Sequence, residues 1–137
     1  MSSHPRRRIL CAEPHDDTCG LITTLLEHQG HEVISAKTIQ ACLELISRES
    51  FDLYMLDDDY IDGTSLELCK RMREMTPETP ILFFSSQSFE RDRDRAFEAG
   101  AHSYLTKPGD LFEIVETVNS ILTGGALRRA QRDVERS

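Results

Sequence analysis

Short apolar runs alternate with helical stripes along most of the chain. Ile9-Leu10-Cys11-Ala12 is one such run, and after a polar stretch Leu21, Ile22, Leu25 and Leu26 return at the spacing of one helix face. Gly30 follows that stripe as a helix cap, and Glu32 to Ala36, around Val33 and Ile34, reads as a second strand. Ala41, Cys42, Leu45 and Ile46 mark a second helix. Phe51 to Leu56 predicts a third strand, and Leu66, Leu68, Cys69 and Met72 a third helix with Pro77 and Pro80 at its exit. Ile81-Leu82-Phe83-Phe84 is continuously apolar, as a strand covered on both faces should be. Phe89 to Ala99 reads as a helix ending at Gly100, and Ser103-Tyr104-Leu105 as a short fifth strand. Leu111, Ile114, Val115, Val118, Ile121 and Leu122 form the clearest amphipathic helix of all.

Five strands alternating with five helices place the chain in the α/β class. Right-handed crossovers then give a doubly wound, five-stranded parallel sheet with helices on both faces. Gly124-Gly125 closes the unit, and the stripe Leu127, Ala130 and Val134 beyond it is too small for a second core. A length of 137 residues fits one domain. No apolar stretch nears the ~18 residues of a membrane span, and the first eight residues lack the apolar centre of a secretory signal. Cys11, Cys19, Cys42 and Cys69 are spaced too widely for a zinc or dithiol motif. The expectation is a soluble, cytoplasmic protein with reduced thiols.

Charge sharpens this picture. The net charge is -8, yet Arg6, Arg7 and Arg8 contribute +3, and the last twelve residues contribute +2 through four arginines against Asp133 and Glu135. The stretch between therefore carries -13, a poor generic nucleic-acid binder. The alternating signs from Arg91 to Arg95 read as a solvated helix face. His4, His15, His28, His31 and His102 are scattered and read as surface residues, with His15 alone near the acidic loops.

Those loops carry the candidate chemistry. In open parallel sheets, ligands gather beyond the carboxyl ends of the strands. Glu13 follows the first strand, Asp57, Asp58 and Asp59 the third, Ser85 and Ser86 the fourth, and Lys107 the fifth. Adjacent carboxylates about 5 Å apart repel by roughly 3 kcal/mol at an effective dielectric of about 20, so a cation or a lysine is needed to hold them. Oxygen donors with few nitrogens suit Mg²⁺, and an aspartate oxygen can attack phosphorus to give an acyl phosphate. The rim suits phosphoryl chemistry.

The ordered set resembles the response-regulator receiver domains of two-component signalling, from Arg8 to about Thr123. It comprises Asp57, Asp62-Gly63-Thr64, the run Pro80 to Ser85, the Ala99-Gly100-Ala101 turn, and Tyr104-Leu105-Thr106-Lys107-Pro108. The resemblance implies a flavodoxin-like fold with strand order 2-1-3-4-5. It divides the chain into an N-terminal basic extension (1–7), a receiver domain (8–123) and a C-terminal tail or linker stub (124–137). It makes Asp57 the phosphoacceptor and places Mg²⁺ among Glu13, Asp57 and the backbone carbonyl of Asp59. Ser85 becomes the hydroxyl that moves to the phosphoryl group, Tyr104 the coupled switch aromatic, and Lys107 the phosphate-contacting lysine. The Lys107-Pro108 bond is often cis in such domains. The implied partners are a sensor histidine kinase or phosphotransfer protein and a protein output partner on the helix 4, strand 5, helix 5 face. A homodimer through that face is a further option, and neither nucleic acid nor membrane is expected as a direct partner.

One position departs from the pattern. The family usually carries two adjacent acids after the first strand; here Glu13 fills the first position and Pro14, which has no carboxylate, the second. A slip that brought Asp16-Asp17 there would move Leu21, Ile22, Leu25 and Leu26 off their core positions. Strand alternation turns Asp58 away from Asp57, whereas Glu13 is one methylene longer than the usual Asp and can reach in. Two readings stay open: a single-domain receiver phosphorylated on Asp57 with Mg²⁺, and a pseudo-receiver that lost its metal through Pro14 and acts as a phosphorylation-independent interaction module. A third reading, a haloacid dehalogenase type enzyme, sets Asp57-Asp58-Asp59 against that family's Asp-x-Asp signature, with Lys107 as its later lysine. That signature normally follows a first strand, and the chain has no room for a cap. The only reactions expected are therefore self-catalysed phosphotransfer and dephosphorylation of Asp57.

Overall fold

The apolar runs Leu53–Leu56 and Ile81–Ser85 are buried at every position, as central strands of a sheet covered on both faces must be. They lie side by side in a computed structural model that describes residues 6–107 and 109–124. Five strands, β1 (Arg8–Ala12), β2 (Glu32–Ala36), β3 (Leu53–Leu56), β4 (Ile81–Ser85) and β5 (Ser103–Thr106), pair in parallel in the order β2-β1-β3-β4-β5. Order reverses between β1 and β3, so a crevice opens at the carboxyl ends of these two strands.

Four helices connect the strands: α1 (Asp16–His28), α2 (Ile39–Arg48), α3 (Ser65–Met75) and α4 (Glu90–Ala99). A 3₁₀ turn at Leu111–Glu113 leads into α5 over 114–124. Alternation along the strands sorts the core into two layers. Leu10, Tyr54, Leu56, Ile81 and Phe83 face α2, α3 and α4 through Ile39, Cys42, Leu68, Met72 and Ala96. Ile9, Cys11, Leu53, Met55, Leu82 and Phe84 face α1 and α5 through Ile22, Leu26, Ile114 and Val118. Among the described residues no helix is long and apolar enough to cross a membrane.

Capping pins the loops near the crevice. The Thr38 hydroxyl accepts from the Ala41 N–H at 3.1 Å, and Asp62, from the loop after β3, accepts from the Ile39 and Gln40 N–H groups at 2.9 and 3.0 Å. The acidic loop is thus clipped to the N-terminus of α2, where a carboxylate is favoured. These bonds hold the Asp62 carboxyl below its ordinary value.

Several expectations need correction. β3 starts at Leu53, not Phe51; the Phe51 ring packs beneath the Arg8 guanidinium at 4.8 Å, while Asp52 accepts from the Arg8 N–H. Leu21 is exposed, and α1 buries only Ile22 and Leu26. His31 is buried, its Nε2 lying 3.0 Å from Asn119 Oδ1 on α5. Asp59–Tyr60 and Gly63–Thr64 form a small antiparallel ladder that no periodicity announced. Pro108, the cis-peptide candidate, lies outside the described residues, as do 1–5 of the basic extension and 125–137 of the tail.

Candidate functional site

Lys107 follows β5, Glu13 follows β1 and Asp57 follows β3, and the sheet brings all three to the crevice. Glu13 and Asp57 are 3% and 2% exposed. The Lys107 ammonium donates to Glu13 Oε1 at 2.9 Å and to Asp57 Oδ1, with its Nζ also 5.4 Å from the centre of the Phe84 ring. A backbone bond from the Lys107 N–H to the Ser85 carbonyl, 2.7 Å, anchors the base of the lysine.

The two carboxylates are each shared between two faces. Oε1 of Glu13 and Oδ1 of Asp57 face Lys107. On the other side, Glu13 Oε2 accepts from the His15 backbone N–H at 3.0 Å and lies 3.1 Å from His15 Nδ1. Asp57 Oδ2 lies 3.5 Å from the same nitrogen and accepts no hydrogen bond among the described residues. Pro14 makes the bend that returns His15 toward Glu13. His15 is the N-cap residue of α1 but uses no side-chain atom for capping, so its ring is left for the crevice.

Burial and charge set the protonation states. Burial pushes the Glu13 carboxyl up, but the His15 N–H and the Lys107 ammonium outweigh it and hold Glu13 below its ordinary value. For Asp57 burial, joined by hydrogen bonding to and repulsion from Glu13, wins over Lys107, and its carboxyl is raised. Burial pulls the Lys107 ammonium down, while Asp57 and Glu13 more than offset this and raise it. The His15 hydrogen bond to Glu13 raises the imidazole as well. One buried carboxylate oxygen, Asp57 Oδ2, is left unsatisfied among the described residues, and a divalent cation suits a site with these donors.

Ser85 is also at this rim, yet its hydroxyl donates to Asp58, not toward Asp57. Asp58 further accepts from the Ser86 N–H at 2.9 Å and the Ser86 hydroxyl at 2.5 Å. Ser85 thus stands at the common rim with Glu13, Asp57 and Lys107, but Asp58 holds its hydroxyl. The Asp59 carboxylate is exposed and meets the Ser65 N–H at 3.4 Å, so Asp57 and Asp59 do not form a two-carboxylate site. Tyr104 stacks on Phe83, ring centres 5.8 Å apart, with its hydroxyl donating to the Gln87 carbonyl at 2.7 Å.

Tyr60 was not singled out from the sequence. Its hydroxyl accepts from the Asp57 N–H at 3.0 Å and donates to the Ala12 carbonyl at 2.7 Å, tying the ends of β3 and β1 together beneath the acids. The only signal was an aromatic residue directly after three acids.

Comparison with known proteins agrees with this geometry. The family model described as response regulator receiver domain matches residues 9–119. The response regulator protein PilR of Pseudomonas aeruginosa is 30% identical over 117 residues, covering 85% of this chain and 26% of PilR. The nisin biosynthesis regulatory protein NisR of Lactococcus lactis is 33% identical over 115 residues, covering 82% of this chain and 49% of NisR. The chain thus spans half or less of these relatives. A crystal structure of a putative response regulator from Chloroflexus aurantiacus superposes with a TM-score of 0.81 at 29% identity, covering 86% of this chain and 98% of that one. With the sheet order, the crevice and the matched residues agreeing, this chain belongs to the response regulator receiver domain family.

Proposed function

We propose that this domain accepts a phosphoryl group on Asp57 from the phosphohistidine of a sensor histidine kinase or phosphotransfer protein, and signals through a protein contact on the face of α4, β5 and α5. One observation carries the reading: Lys107 spans Asp57 and Glu13 at the carboxyl edge of the sheet. Oδ1 of Asp57, on the lysine side, is the nucleophile. As its bond to phosphorus forms, the nitrogen–phosphorus bond of the donor breaks, and the electron pair leaves on an imidazole that takes up a proton. Lys107 then turns from the carboxylate to the phosphoryl oxygens, where its charge is most needed. Glu13, Asp57 and the backbone carbonyl of Asp59 would hold a Mg²⁺ ion, whose charge would further neutralise the transferring group. No reaction beyond the gain and loss of this phosphoryl group is proposed.

The output face has a suitable surface. Phe89 before α4 and Phe112 before α5 are exposed, and the Arg93 guanidinium lies 5.8 Å from the Tyr104 ring centre. Aromatic and arginine side chains are the usual anchors of protein contacts. A homodimer is one occupant of this face, in a cytoplasmic setting shared with the kinase.

A second reading has its own support. Pro14 removes an acid, Lys107 already bridges both remaining buried acids, and Asp58 holds Ser85, which together describe a pseudo-receiver working as a fixed interaction module. Intact mass after incubation with acetyl phosphate or phosphoramidate and Mg²⁺ separates the two. Phosphorylation predicts an adduct of about 80 Da that Asp57→Ala abolishes. No adduct from either donor at millimolar Mg²⁺ would leave the interaction module as the function.

A further inference from the structure

Pro14 stands at the family's second-acid position, and the residue after it, His15, lies against Glu13 and Asp57 in the crevice. Proline at 14 has no side chain that can ligate and no backbone N–H, and it bends the chain so that His15 returns over Glu13. The imidazole is 72% exposed, yet its Nδ1 is the inner edge, 3.1 Å from Glu13 Oε2 and 3.5 Å from Asp57 Oδ2. One donor atom from each of Glu13, His15 and Asp57 lies within 4.8 Å of the other two. Donor atoms about 2.1 Å from a common ion lie about 3.0 to 3.5 Å apart in octahedral and tetrahedral shells, so both nitrogen–oxygen distances already have the right length.

A second observation points to a ligand at this spot. Asp57 Oδ2 is buried and accepts no hydrogen bond among the described residues, although Lys107 satisfies Oδ1 of the same carboxylate. Buried carboxylate oxygens without a partner are costly. The orphan atom is on the His15 side, away from the lysine. An ion bridging Oδ2, Glu13 and Nδ1 satisfies it without displacing Lys107.

We propose that this receiver holds its cation through a mixed nitrogen and oxygen set, Glu13, Asp57 and His15, and so favours divalent ions that accept imidazole, such as Co²⁺, Ni²⁺ or Zn²⁺, over Mg²⁺. The inference rests on the cation-binding part of the proposed function and deepens it by naming the class of ion. Imidazole is a good ligand for the later first-row metals and a poor one for Mg²⁺, which prefers carboxylates and water. Binding places the ion where the Nδ1 proton was, and that proton leaves to solvent. The exposed outer edge of the ring leaves Nε2 open to water.

The test is calorimetric titration of the full chain with Co²⁺ and, separately, with Mg²⁺. Co²⁺ ranks above Mg²⁺ even at an all-oxygen site, so the discriminating variants are His15→Ala and His15→Asp. The expected result is that His15→Ala weakens Co²⁺ at least about 10-fold while Mg²⁺ changes by less than about 3-fold. His15→Asp should strengthen Mg²⁺ and bring the two affinities closer. The visible spectrum of bound Co²⁺ adds a second readout, shifting when the nitrogen ligand is removed. Equal loss of both ions in His15→Ala, no loss of Co²⁺, or cobalt–thiolate charge-transfer bands would each overturn the inference. Its failure is separable from that of the proposed function. A Mg²⁺-dependent Asp57 adduct with a silent His15 removes only this inference, whereas His15-dependent Co²⁺ binding with no adduct removes only the phosphorylation.

Discussion

Tyr60 joins two strand ends with a single oxygen. Its hydroxyl is the acceptor for the Asp57 N–H and a donor to the Ala12 carbonyl, both buried. Burial pushes the phenol well above its ordinary range, so it stays protonated and able to donate throughout the stable range of the protein. Tyr60→Phe keeps the ring and leaves both backbone groups unpaired, a change expected to cost about 1 to 3 kcal/mol. Urea denaturation with an unchanged m-value would show it; a loss under 0.5 kcal/mol, on the order of an exposed bond, would mean that water replaces the hydroxyl. Cys19 gives a second prediction at this scale. It lies in the first turn of α1, where hydrogen bonding to Cys11 pulls its thiol down to about 6, while burial raises Cys42 to about 12 and Cys69 to about 11. A helix N-terminus acts in the same direction on Cys19. Alkylation of the native protein with iodoacetamide should therefore modify Cys19 first, with a rate that reaches half its plateau near pH 6, and peptide mapping reads both. Modification of Cys42 at a comparable rate would show that the native fold does not shield it.

At the scale of elements, Arg73 is a clasp. From the last turn of α3 it donates to the carbonyls of Pro77 and Thr79 at 2.7 and 2.9 Å, and across to the Gly100 carbonyl at 2.7 Å. It thereby fixes the exit of α3 against the turn between α4 and β5. Gly100 adopts φ of +116°, and a Cβ there would lie 2.8 Å from Arg73 Nε, so this turn needs glycine for both backbone and space. Arg73→Ala should lower stability by about 2 to 3 kcal/mol, and Arg73→Lys should recover only part of it, because one ammonium cannot reproduce a planar fork. Equal stability of the lysine variant and the parent would show that charge alone suffices. None of this clasp was legible in the sequence, because an arginine on a helix gives no sign that it will turn back on carbonyls. The sheet was legible for the opposite reason: β3 and β4 are covered on both faces and write their burial as unbroken apolar runs. The Asp59 to Thr64 ladder was not, being built from polar and glycine positions with no period. His31 was misread because its burial depends on Asn119, 88 residues away. The gathering of Glu13, Asp57 and Lys107 followed from topology, which fixes the edge where the loops meet. Strand alternation turned Asp58 away from Asp57, but its grip on Ser85 and Ser86, like the direction of His15, depends on side-chain torsions in those loops, which no spacing rule contains.

On the scale of the whole molecule, the crevice and the proposed output face share one short segment, the loop from Ser85 to Phe89. Asp58 grips its start through the Ser85 hydroxyl and the Ser86 N–H and hydroxyl. The Gln87 N–H then donates to Ser85 Oγ at 3.0 Å, and the Gln87 carbonyl accepts from Tyr104. Three consecutive hydrogen bonds, Ser85 to Asp58, Gln87 to Ser85 and Tyr104 to Gln87, thus link the neighbour of Asp57 to Tyr104 without unfolding anything. The Ser85 hydroxyl has one proton to donate. While it serves Asp58 it cannot also serve another acceptor, so under the proposed phosphorylation of Asp57 the two uses would define two states of the loop, with Asp58 contributing to the gap between them. If the segment acts as a unit, removing its two ends should not be additive. Single variants Asp58→Ala and Tyr104→Phe and their double variant, each unfolded in urea, are expected to give an interaction energy of about 0.5 to 2 kcal/mol, the range for groups within one hydrogen-bonded network. An interaction energy within about 0.3 kcal/mol of zero would mean that the loop bends between Ser86 and Gln87, and that any signal leaving Asp57 takes another route. The same series carries a kinetic consequence. Asp58→Ala releases Ser85 in advance, so acetyl phosphate should label Asp57 faster in this variant than in the parent, by the factor that the loop equilibrium withholds. A labelling rate unchanged by Asp58→Ala, measured by intact mass over time, would assign the rate-limiting step to the carboxylate and its cation and not to the loop.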